Sequence, residues 1–206
     1  RIRGNPKAAV SLLEEAIEIG QTIGDAFGSL TYRLNLAKAL VRLGETAEAQ
    51  DHLRTILTSV VDQARINEWV GLPETYRFLA EASLAEGKTA VALELAQMAA
   101  EQAAKLGLPK QMGTTWRVLA QVLAQHEDGE KTAVVGGTSF DAAAAFLESR
   151  RLLQLAADNS VGVYRQQAQT LAAWGAFEQQ RGSEERGQQM VQKAEAIATK
   201  LDIMLN

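Results

Sequence analysis

The densest group of side chains that could bind a metal lies where a predicted helix meets a long loop. His126, Glu127, Asp128 and Glu130 place one imidazole and three carboxylates close together, a donor set that a hard or borderline cation accepts. At a helix end these side chains splay apart instead of converging. The only other histidine, His52, is distant in sequence and is expected on the solvent side of its helix. We therefore predict a solvated polar helix end and no metal site.

The loop that follows is only superficially like a phosphate-binding loop. It contains the glycine-bearing motifs 129–132 and 136–139, but the phosphate-loop pattern needs a glycine five positions before Gly-Lys-Ser/Thr and a buried strand before that. We expect the second motif to form the turn and N-cap of a helix that begins near Phe140. No nucleophile motif, zinc-binding helix motif or carboxylate pair occurs, so we predict that the chain is not an enzyme and needs no cofactor.

Composition favours helices and excludes several classes of protein. Apolar residues make up 47% of the 206 residues and aromatic residues only 5%, so alanine and leucine, both strong helix formers, dominate. A net charge of −4 offers no basic surface for direct nucleic-acid binding, and the absence of cysteine excludes disulfides. No apolar run is long enough to span a membrane. We expect a piece cut from a longer protein, because the chain begins at Arg1 and carries no leader.

Glycines recur at nearly regular intervals along the chain. Gly4, Gly44, Gly87, Gly137 and Gly182 are separated by 40, 43, 50 and 45 residues. Between them the apolar residues follow a 3.6-residue period, which predicts two amphipathic helices in each unit. We expect one domain over residues 1–206, made of four and a half units and interrupted by an irregular loop at 128–138. The units are a half unit at 6–23 and helix pairs at 25–65, 72–106, 109–158 and 161–204, with helix breaks near 44, 87, 128–138 and 182.

Small side chains recur in phase when the units are aligned on these glycines. In the first helices a large apolar residue is followed at once by a small one, as in Leu36-Ala37, Leu79-Ala80, Leu119-Ala120 and Trp174-Gly175. The second helices carry a small residue, a larger one four positions later and usually a small one three beyond, as in Ala142, Phe146 and Ser149. Antiparallel helices approach within about 8–10 Å where small side chains face a knob on the other helix. The register therefore favours nested helix hairpins over a generic bundle.

The pattern resembles the tetratricopeptide repeat (TPR), whose first helix carries W-x2-L-G-x2-Y and whose second carries A-x3-F. The resemblance covers nearly the whole chain, but the units exceed 34 residues and lack the first-helix tyrosine and the repeat-closing prolines. It implies an all-α, right-handed superhelical solenoid of antiparallel helix pairs, with about 4.5 repeats. The long, alanine- and leucine-rich units are similar to those of kinesin light chains. They are more closely similar to the C-terminal sensor regions of bacterial signalling ATPases and of maltose-regulon-type transcription activators.

This resemblance implies a non-catalytic protein- or peptide-binding scaffold. We expect it to be the regulatory or sensor region of a larger cytoplasmic bacterial signalling or transcription-regulating protein. A stand-alone peptide-pheromone receptor or adaptor is the first alternative, and an enzyme on a helical toroid with an acidic or histidine-lined cavity is the second. Contact with nucleic acid or membrane is not expected. Self-association through the terminal helices stays open, because their apolar faces lack a covering partner in the sequence.

Ligand contacts are expected on the concave wall that the first helices of such an array form. Its basic residues suit an acidic or carboxylate-bearing peptide, and Phe78 and Val118 would provide apolar pockets beside them. A solvated helix face without a ligand is the alternative. Helical phase places Glu74 and Thr114 on this wall together with the residues that we predict to bind the partner, which are Lys38, Arg42, Arg77, Phe78, Glu81, Arg117, Val118 and Gln121.

The tryptophans divide into two groups. Trp116 and Trp174 occupy core positions of the repeat pattern, so we expect them to be buried. Trp69 lies outside the pattern, in the linker at 67–71, where partial exposure and a partner contact are the alternative to packing.

Overall fold

The computed structural model describes residues 6–59, 67, 69–125, 131–156 and 160–201. Within these residues there are nine helices and one two-stranded antiparallel sheet. The strands, β1 (Ala133–Val135) and β2 (Thr138–Phe140), lie between the sixth and seventh helices. In chain order the helices are α1 (Pro6–Thr22), α2 (Ala26–Leu43), α3 (Thr46–Thr58), α4 (Leu72–Ala85), α5 (Thr89–Leu106), α6 (Pro109–Ala124), α7 (Ala142–Leu155), α8 (Val161–Gln180) and α9 (Glu184–Leu201).

Consecutive helices pack in pairs along the chain. The pairs are α2 with α3, α4 with α5, α6 with α7 and α8 with α9, and α1 packs on α2 from the other side. The first helices of successive pairs also contact one another directly, α4 with α6 and α6 with α8. This arrangement confirms the predicted all-α solenoid of helix pairs. The directly contacting first helices form one continuous wall, which is the surface expected to bind a ligand.

Glycine makes the turn between the helices of a pair. Gly44 ends α2 in the left-handed conformation, with φ of 83°, and its N–H points at the carbonyls of Leu40 and Val41. Gly87 and Gly182 occupy the corresponding turns, with φ of 73° and 82°. A side chain is strained in this conformation and glycine is not, so glycine suits the ends of α2, α4 and α8, where its N–H bonds a carbonyl of the last helical turn.

The small residues that set the repeat register point into the core. Ala37 is 1% exposed, and Ala80 and Ala120 are fully buried. Larger apolar side chains fill the volume around them in two clusters. One lies in the first part of the chain around Leu53, and the other runs through the later repeats around Phe146. Burial of the alanines is what allows the helices of a pair to approach closely.

The third helix is shorter than the sequence predicts. It was expected to extend to residue 65, but it ends at Thr58, and Ser59 has an extended backbone with ψ of 140°. The Ser59 hydroxyl donates to the carbonyl of Ile56 at 2.7 Å, a local bond that competes with continuation of the helix. The apolar period continues past this serine, which is why the end was misplaced. Residues 60–66 lie outside the described residues, as does the predicted end of the sixth helix at 127.

A β-hairpin replaces the predicted start of the seventh helix. The sequence predicts a helix that begins near Phe140, with Gly137-Thr138-Ser139 as its turn and N-cap. Instead Val135 pairs with Thr138 across a two-residue turn at Gly136 and Gly137, whose φ values are 59° and 82°. Positive φ at both turn residues is the geometry that favours a tight hairpin. The helix begins at Ala142, and its N-cap is Asp141, whose carboxylate accepts from the N–H of Ala144 at 2.7 Å.

Candidate ligand-binding pocket on the first-helix wall

Ion pairs join the first helices of neighbouring repeats. The Lys38 ammonium on α2 lies 2.6 Å from the Glu74 carboxylate on α4. One helical turn along α4, Arg77 donates from Nη1 to both carboxylate oxygens of Glu81, at 3.0 and 2.9 Å. Arg77 also reaches back to Glu74, with 3.4 Å between Nη2 and Oε1. Both acids of α4 are therefore engaged by cations on the same wall.

Arg117 extends these contacts to the next two first helices. From α6 its Nη2 lies 3.4 Å from Glu81 and 3.3 Å from Gln166 Oε1 on α8, and its Nη1 donates to Gln121 at 3.3 Å. The Glu81 carboxylate thus pairs with the guanidinium groups of both Arg77 and Arg117. We refer to the residues that link α2 to α8 in this way as the ionic row: Lys38, Glu74, Arg77, Glu81, Arg117 and Gln166.

The two arginines of the ionic row are buried rather than displayed. Arg77 is 9% exposed and Arg117 is 8% exposed. The Arg77 guanidinium lies over the Phe78 ring, 3.9 Å from its centroid. Burial lowers the pKa of Arg117, the Glu81 charge opposes that shift, and the Arg77 charge adds to it. Arg117 Nε is also a buried donor that has no partner among the described residues. The wall therefore carries buried positive charge that the protein compensates only in part.

A pocket of about 330 Å³ lies against the ionic row, where side chains from α2, α4, α6 and α8 come together. Three of its lining residues are cations, namely Lys38, Arg77 and Lys110, and one is an acid, Glu74. The formal charge of the lining therefore has a positive excess of two. The rest of the lining is polar and consists of Gln111, Thr114, Thr115 and Gln166.

Two residues at the start of α6 are incompletely paired in this pocket. Lys110 is exposed and forms no ion pair with any residue that the structure describes. Its ammonium lies over the first turn of α8, since a Cβ on Gly162 would be 3.0 Å from Nζ. Gln111 donates from Nε2 to the Val70 carbonyl at 2.9 Å, and its Oε1 is buried without a partner among the described residues. An anionic group on a ligand would pair with the Lys110 ammonium, and an N–H group on the same ligand would donate to Gln111 Oε1.

The remaining predicted groove residues have different environments. Arg42 is exposed near the end of α2 and pairs with no described acid. Val118 is 1% exposed and belongs to the core cluster that contains Trp116, so it offers no apolar pocket to a ligand. Phe78 is half-buried and partly covered by Arg77. The pocket is accordingly polar, without the apolar flanks that the sequence led us to expect.

Sequence reasoning missed Lys110, Gln111 and Gln166 as pocket residues. A signal for the first two was available, because positions 110, 111 and 114 lie three and four residues apart and share one face of α6 with the predicted Thr114. Gln166 carries no such signal, since its position depends on how α8 packs against α6.

His52 is partly shielded instead of facing solvent as predicted. Its side chain is 22% exposed, and Nδ1 lies 3.3 Å from Arg33 Nη1. Burial and the Arg33 charge lower the pKa of His52, against the opposing charges of Glu48, Glu14 and Asp51. Nδ1 is then the acceptor, and the proton of the neutral ring lies on Nε2.

All three tryptophans are buried. Trp116 and Trp174 are 4% and 3% exposed, as their core positions predict. Trp69 is 8% exposed, and its indole N–H donates to the Thr31 hydroxyl at 3.3 Å. The alternative of an exposed Trp69 that contacts a partner is therefore wrong. Its neighbour Val70 is the exposed apolar residue of that linker.

Neither a metal centre nor a membrane span is found in the part of the chain that the structure describes. No three described His, Asp or Glu side chains are placed to hold one ion. The cluster at 126–130 lies outside the described residues. Of the described helices, none combines the length and the apolar character that crossing a bilayer requires.

Solved structures of TPR-like repeat proteins, including the following three, match this fold over nearly the full chain. The BtubC (BKLC) protein of P. vanneervenii has a TM-score of 0.53 at 15% identity, covering 97% of this chain and 93% of its own. A Podosopora anserina structure of kinesin light chain nearly identical TPR-like repeats has a TM-score of 0.55 at 20% identity, covering 96% and 89%. A single-substitution variant of it has a TM-score of 0.56 at 19% identity, covering 97% and 89%.

These similarities establish the class of fold, a TPR-like repeat solenoid. No protein-family model and no curated protein sequence matches the chain. The resemblance to kinesin light chain repeats that the sequence suggested is thus found again at the level of structure. The closer resemblance to signalling ATPases and transcription activators stays a prediction.

Proposed function

We propose that this chain is a non-catalytic scaffold that binds an acidic protein segment along the wall of its first helices. The observation that carries the proposal is the positive excess of two charges at the pocket formed by α2, α4, α6 and α8. A TPR-like solenoid supports protein interaction in general, because stacked hairpins produce an extended surface. The charge of this pocket gives that surface a preference for acidic ligands.

The dimensions of the wall suit an extended segment. Successive helix pairs advance by roughly 10 Å, so the four first helices span about 40 Å, the length of about twelve extended residues. The exposed Arg42 lies on the same helix as Lys38 and would meet a second acidic residue of such a segment. The pocket contains no histidine, and its one carboxylate is held by two cations, which favours binding over acid–base catalysis.

The finer role that we propose is that of a regulatory or sensor region in a larger cytoplasmic bacterial protein. Its support is the resemblance of the long alanine- and leucine-rich repeats to such regions. An attached nucleotide- or DNA-binding domain in the complete gene would agree with this role. A gene that encodes the repeats alone would favour the stand-alone receptor or adaptor instead.

Peptide selection tests the scaffold proposal. A display library of random twelve-residue peptides would be selected on the immobilised chain, and the enriched peptides would be measured in solution. We expect enrichment of Asp and Glu, and affinities that fall with rising salt because the contacts are electrostatic. Lys110→Glu should weaken binding roughly tenfold or more, which corresponds to about 1.4 kcal/mol.

The matched control is Lys105→Glu, which makes the same charge change at an exposed position on α5 away from the pocket. It should leave the affinity within about twofold. Arg77 and Arg117 are unsuitable probes, because reversing a buried charge would disrupt the ionic row itself. Selected peptides without acidic residues, or equal binding by the two lysine variants, would contradict the proposal.

A further inference from the structure

We infer that the pocket formed by α2, α4, α6 and α8 accepts a phosphomonoester side chain of the bound segment, such as phosphoserine or phosphothreonine. This inference rests on the proposed function, since it assigns a chemical class to the group that fills the pocket. It is carried by three observations, which are the charge of the lining, the donors around it whose hydrogen-bonding capacity is only partly used, and the buried acceptor at its edge.

Charge is the first observation. Three cations and one acid line the pocket, and Glu74 is already shared between Lys38 and Arg77. One carboxylate from a ligand would leave one positive charge uncompensated. A phosphomonoester carries about −1.5 to −2 at pH 7. It therefore matches the excess of two positive charges more closely than a carboxylate does.

The donors form the second observation. Lys110 has no ion-pair partner among the described residues, and the only described partner of the Lys38 ammonium is Glu74. Arg77 uses Nη1 for its short bonds to Glu81, whereas the Glu74 contact of Nη2 is long at 3.4 Å. These donors come from three different helices and face one pocket. A tetrahedral group with three acceptor oxygens can engage all of them, and a planar carboxylate has only two oxygens.

The third observation separates a modified side chain from a free anion. Gln111 Nε2 donates to the Val70 carbonyl, and this bond fixes the orientation of the amide. Oε1 of the same amide is therefore held in a buried position, where it has no donor among the described residues. A peptide that places its phosphoryl group in the pocket brings backbone N–H groups to this edge. The pocket volume of about 330 Å³ is also at the lower end of ligand pockets, so it suits one side chain rather than a whole ligand.

The test compares three degenerate peptide libraries that differ only at one fixed central residue, which is phosphoserine, glutamate or serine. Binding to the intact chain would be measured at pH 7.5 and pH 5.5. We expect the phosphoserine library to bind roughly tenfold more tightly than the glutamate library at pH 7.5. The second phosphate proton has a pKa of about 6, so this advantage should shrink at pH 5.5 while glutamate binding changes little.

Variants locate the effect in the pocket. Lys110→Gln should remove most of the phosphoserine advantage without lowering the melting temperature, because Lys110 is exposed and pairs with no described acid. Lys105→Gln, which neutralises an exposed lysine outside the pocket, should retain it. Inorganic phosphate alone should compete only weakly, since it cannot place a backbone amide against Gln111.

The outcomes distinguish this inference from the proposed function. Equal binding of the phosphoserine and glutamate libraries, with both above serine, would overturn the phosphomonoester assignment and leave an acidic-peptide scaffold. Competition by inorganic phosphate as strong as by phosphopeptide would overturn the assignment to a peptide side chain. A phosphoserine advantage that survives in Lys110→Gln would place the group elsewhere. No preference for either acidic library over serine would overturn the scaffold proposal as well.

Discussion

Gly175 on α8 and Gly187 on α9 bring the backbones of the last helix pair into direct contact. A Cβ on Gly175 would lie 2.8 Å from the Gly187 carbonyl oxygen, and a Cβ on Gly187 would lie 2.6 Å from the Gly175 carbonyl oxygen. A Cβ on Gly175 would also be 2.8 Å from Cγ2 of Val191. No side chain fits at either position unless the two helices separate. The same positions in the earlier pairs are occupied by alanines such as Ala80 and Ala92.

Replacing Gly175 by alanine should therefore destabilise the chain. Overpacking a close helix contact costs about 1–3 kcal/mol, and the gain in helix propensity of about 1 kcal/mol offsets part of that cost. We expect a lower free energy of unfolding, measured by urea denaturation followed by circular dichroism. Gly162→Ala is the matched control in the same helix, since its Cβ would meet the flexible end of Lys110 at 3.0 Å and the Ser160 hydroxyl at an ordinary contact distance of 3.6 Å. That variant should be neutral or slightly more stable, and equal losses in the two variants would contradict the close contact.

Glu81 should be the most sensitive acid of the ionic row. It is the carboxylate shared by the buried guanidiniums of Arg77 and Arg117. Glu81→Gln leaves both charges less compensated, and we expect a loss of about 1–3 kcal/mol in the free energy of unfolding.

Glu148→Gln provides the comparison for that prediction. Glu148 pairs with Arg151 at 2.6 and 2.7 Å, shorter than any contact of Glu81 with the arginines, but the Arg151 side chain is 56% exposed. Exposed pairs contribute about 0–1 kcal/mol, so this variant should lose less despite its shorter distances. If the two variants unfold at the same urea concentration, burial does not make the Glu81 ion pairs more stabilising than the exposed Glu148–Arg151 pair.

The sequence predicts the repeat architecture because that architecture depends on local signals. Gly44 and Gly87 mark turns that need positive φ, and Ala37 and Ala120 mark the places where helices approach. These requirements act at single positions and repeat with a period, so they can be recognised in one sequence. The premature end of α3 at Ser59 was missed because a single side-chain bond outweighed a continuing apolar pattern.

The candidate site was predicted only in outline because burial and pairing depend on tertiary packing. Helical phase placed Arg77 and Arg117 on the first-helix wall, but it could not show that Glu81 would hold both of them. It also placed Val118 on the wall, although α6 is covered from both sides and Val118 is in the core. A central helix of an array contacts neighbours on two faces. The amphipathic pattern of its sequence alone therefore underestimates how many of its side chains are buried.

Protonation of His52 should destabilise the fold. Its pKa is lowered from 6.5 in the folded chain, first by burial and then by Arg33, despite the opposing charges of Glu48, Glu14 and Asp51. As the pH falls through 6.5 the unfolded chain takes up a proton that the folded chain resists, so stability is lost down to the folded-state pKa. We expect His52→Gln to lose less stability than the unsubstituted chain between pH 7 and pH 5.5, measured by urea unfolding. Parallel pH curves for the two proteins would show that His52 titrates normally.

The β-hairpin between α6 and α7 predicts opposite behaviour for two adjacent valines. Val135 is 6% exposed and belongs to the core cluster that contains Trp116, whereas Val134 is 51% exposed. Truncating a buried valine costs about 1–2 kcal/mol through lost burial and the cavity left behind. We therefore expect Val135→Ala to lower the free energy of unfolding by about that amount.

Val134→Ala is the internal control, because it removes the same atoms from the opposite face of the same strand. Its cost should stay within about 0.5 kcal/mol, as is usual for surface positions. In a strand successive side chains point to opposite faces, and in an irregular loop the two valines would have no fixed alternation. Equal effects of the two truncations on urea unfolding would therefore contradict the hairpin. A large effect confined to Val135 would show that this segment completes the core of the third helix pair, although the TPR-like repeat pattern does not require it.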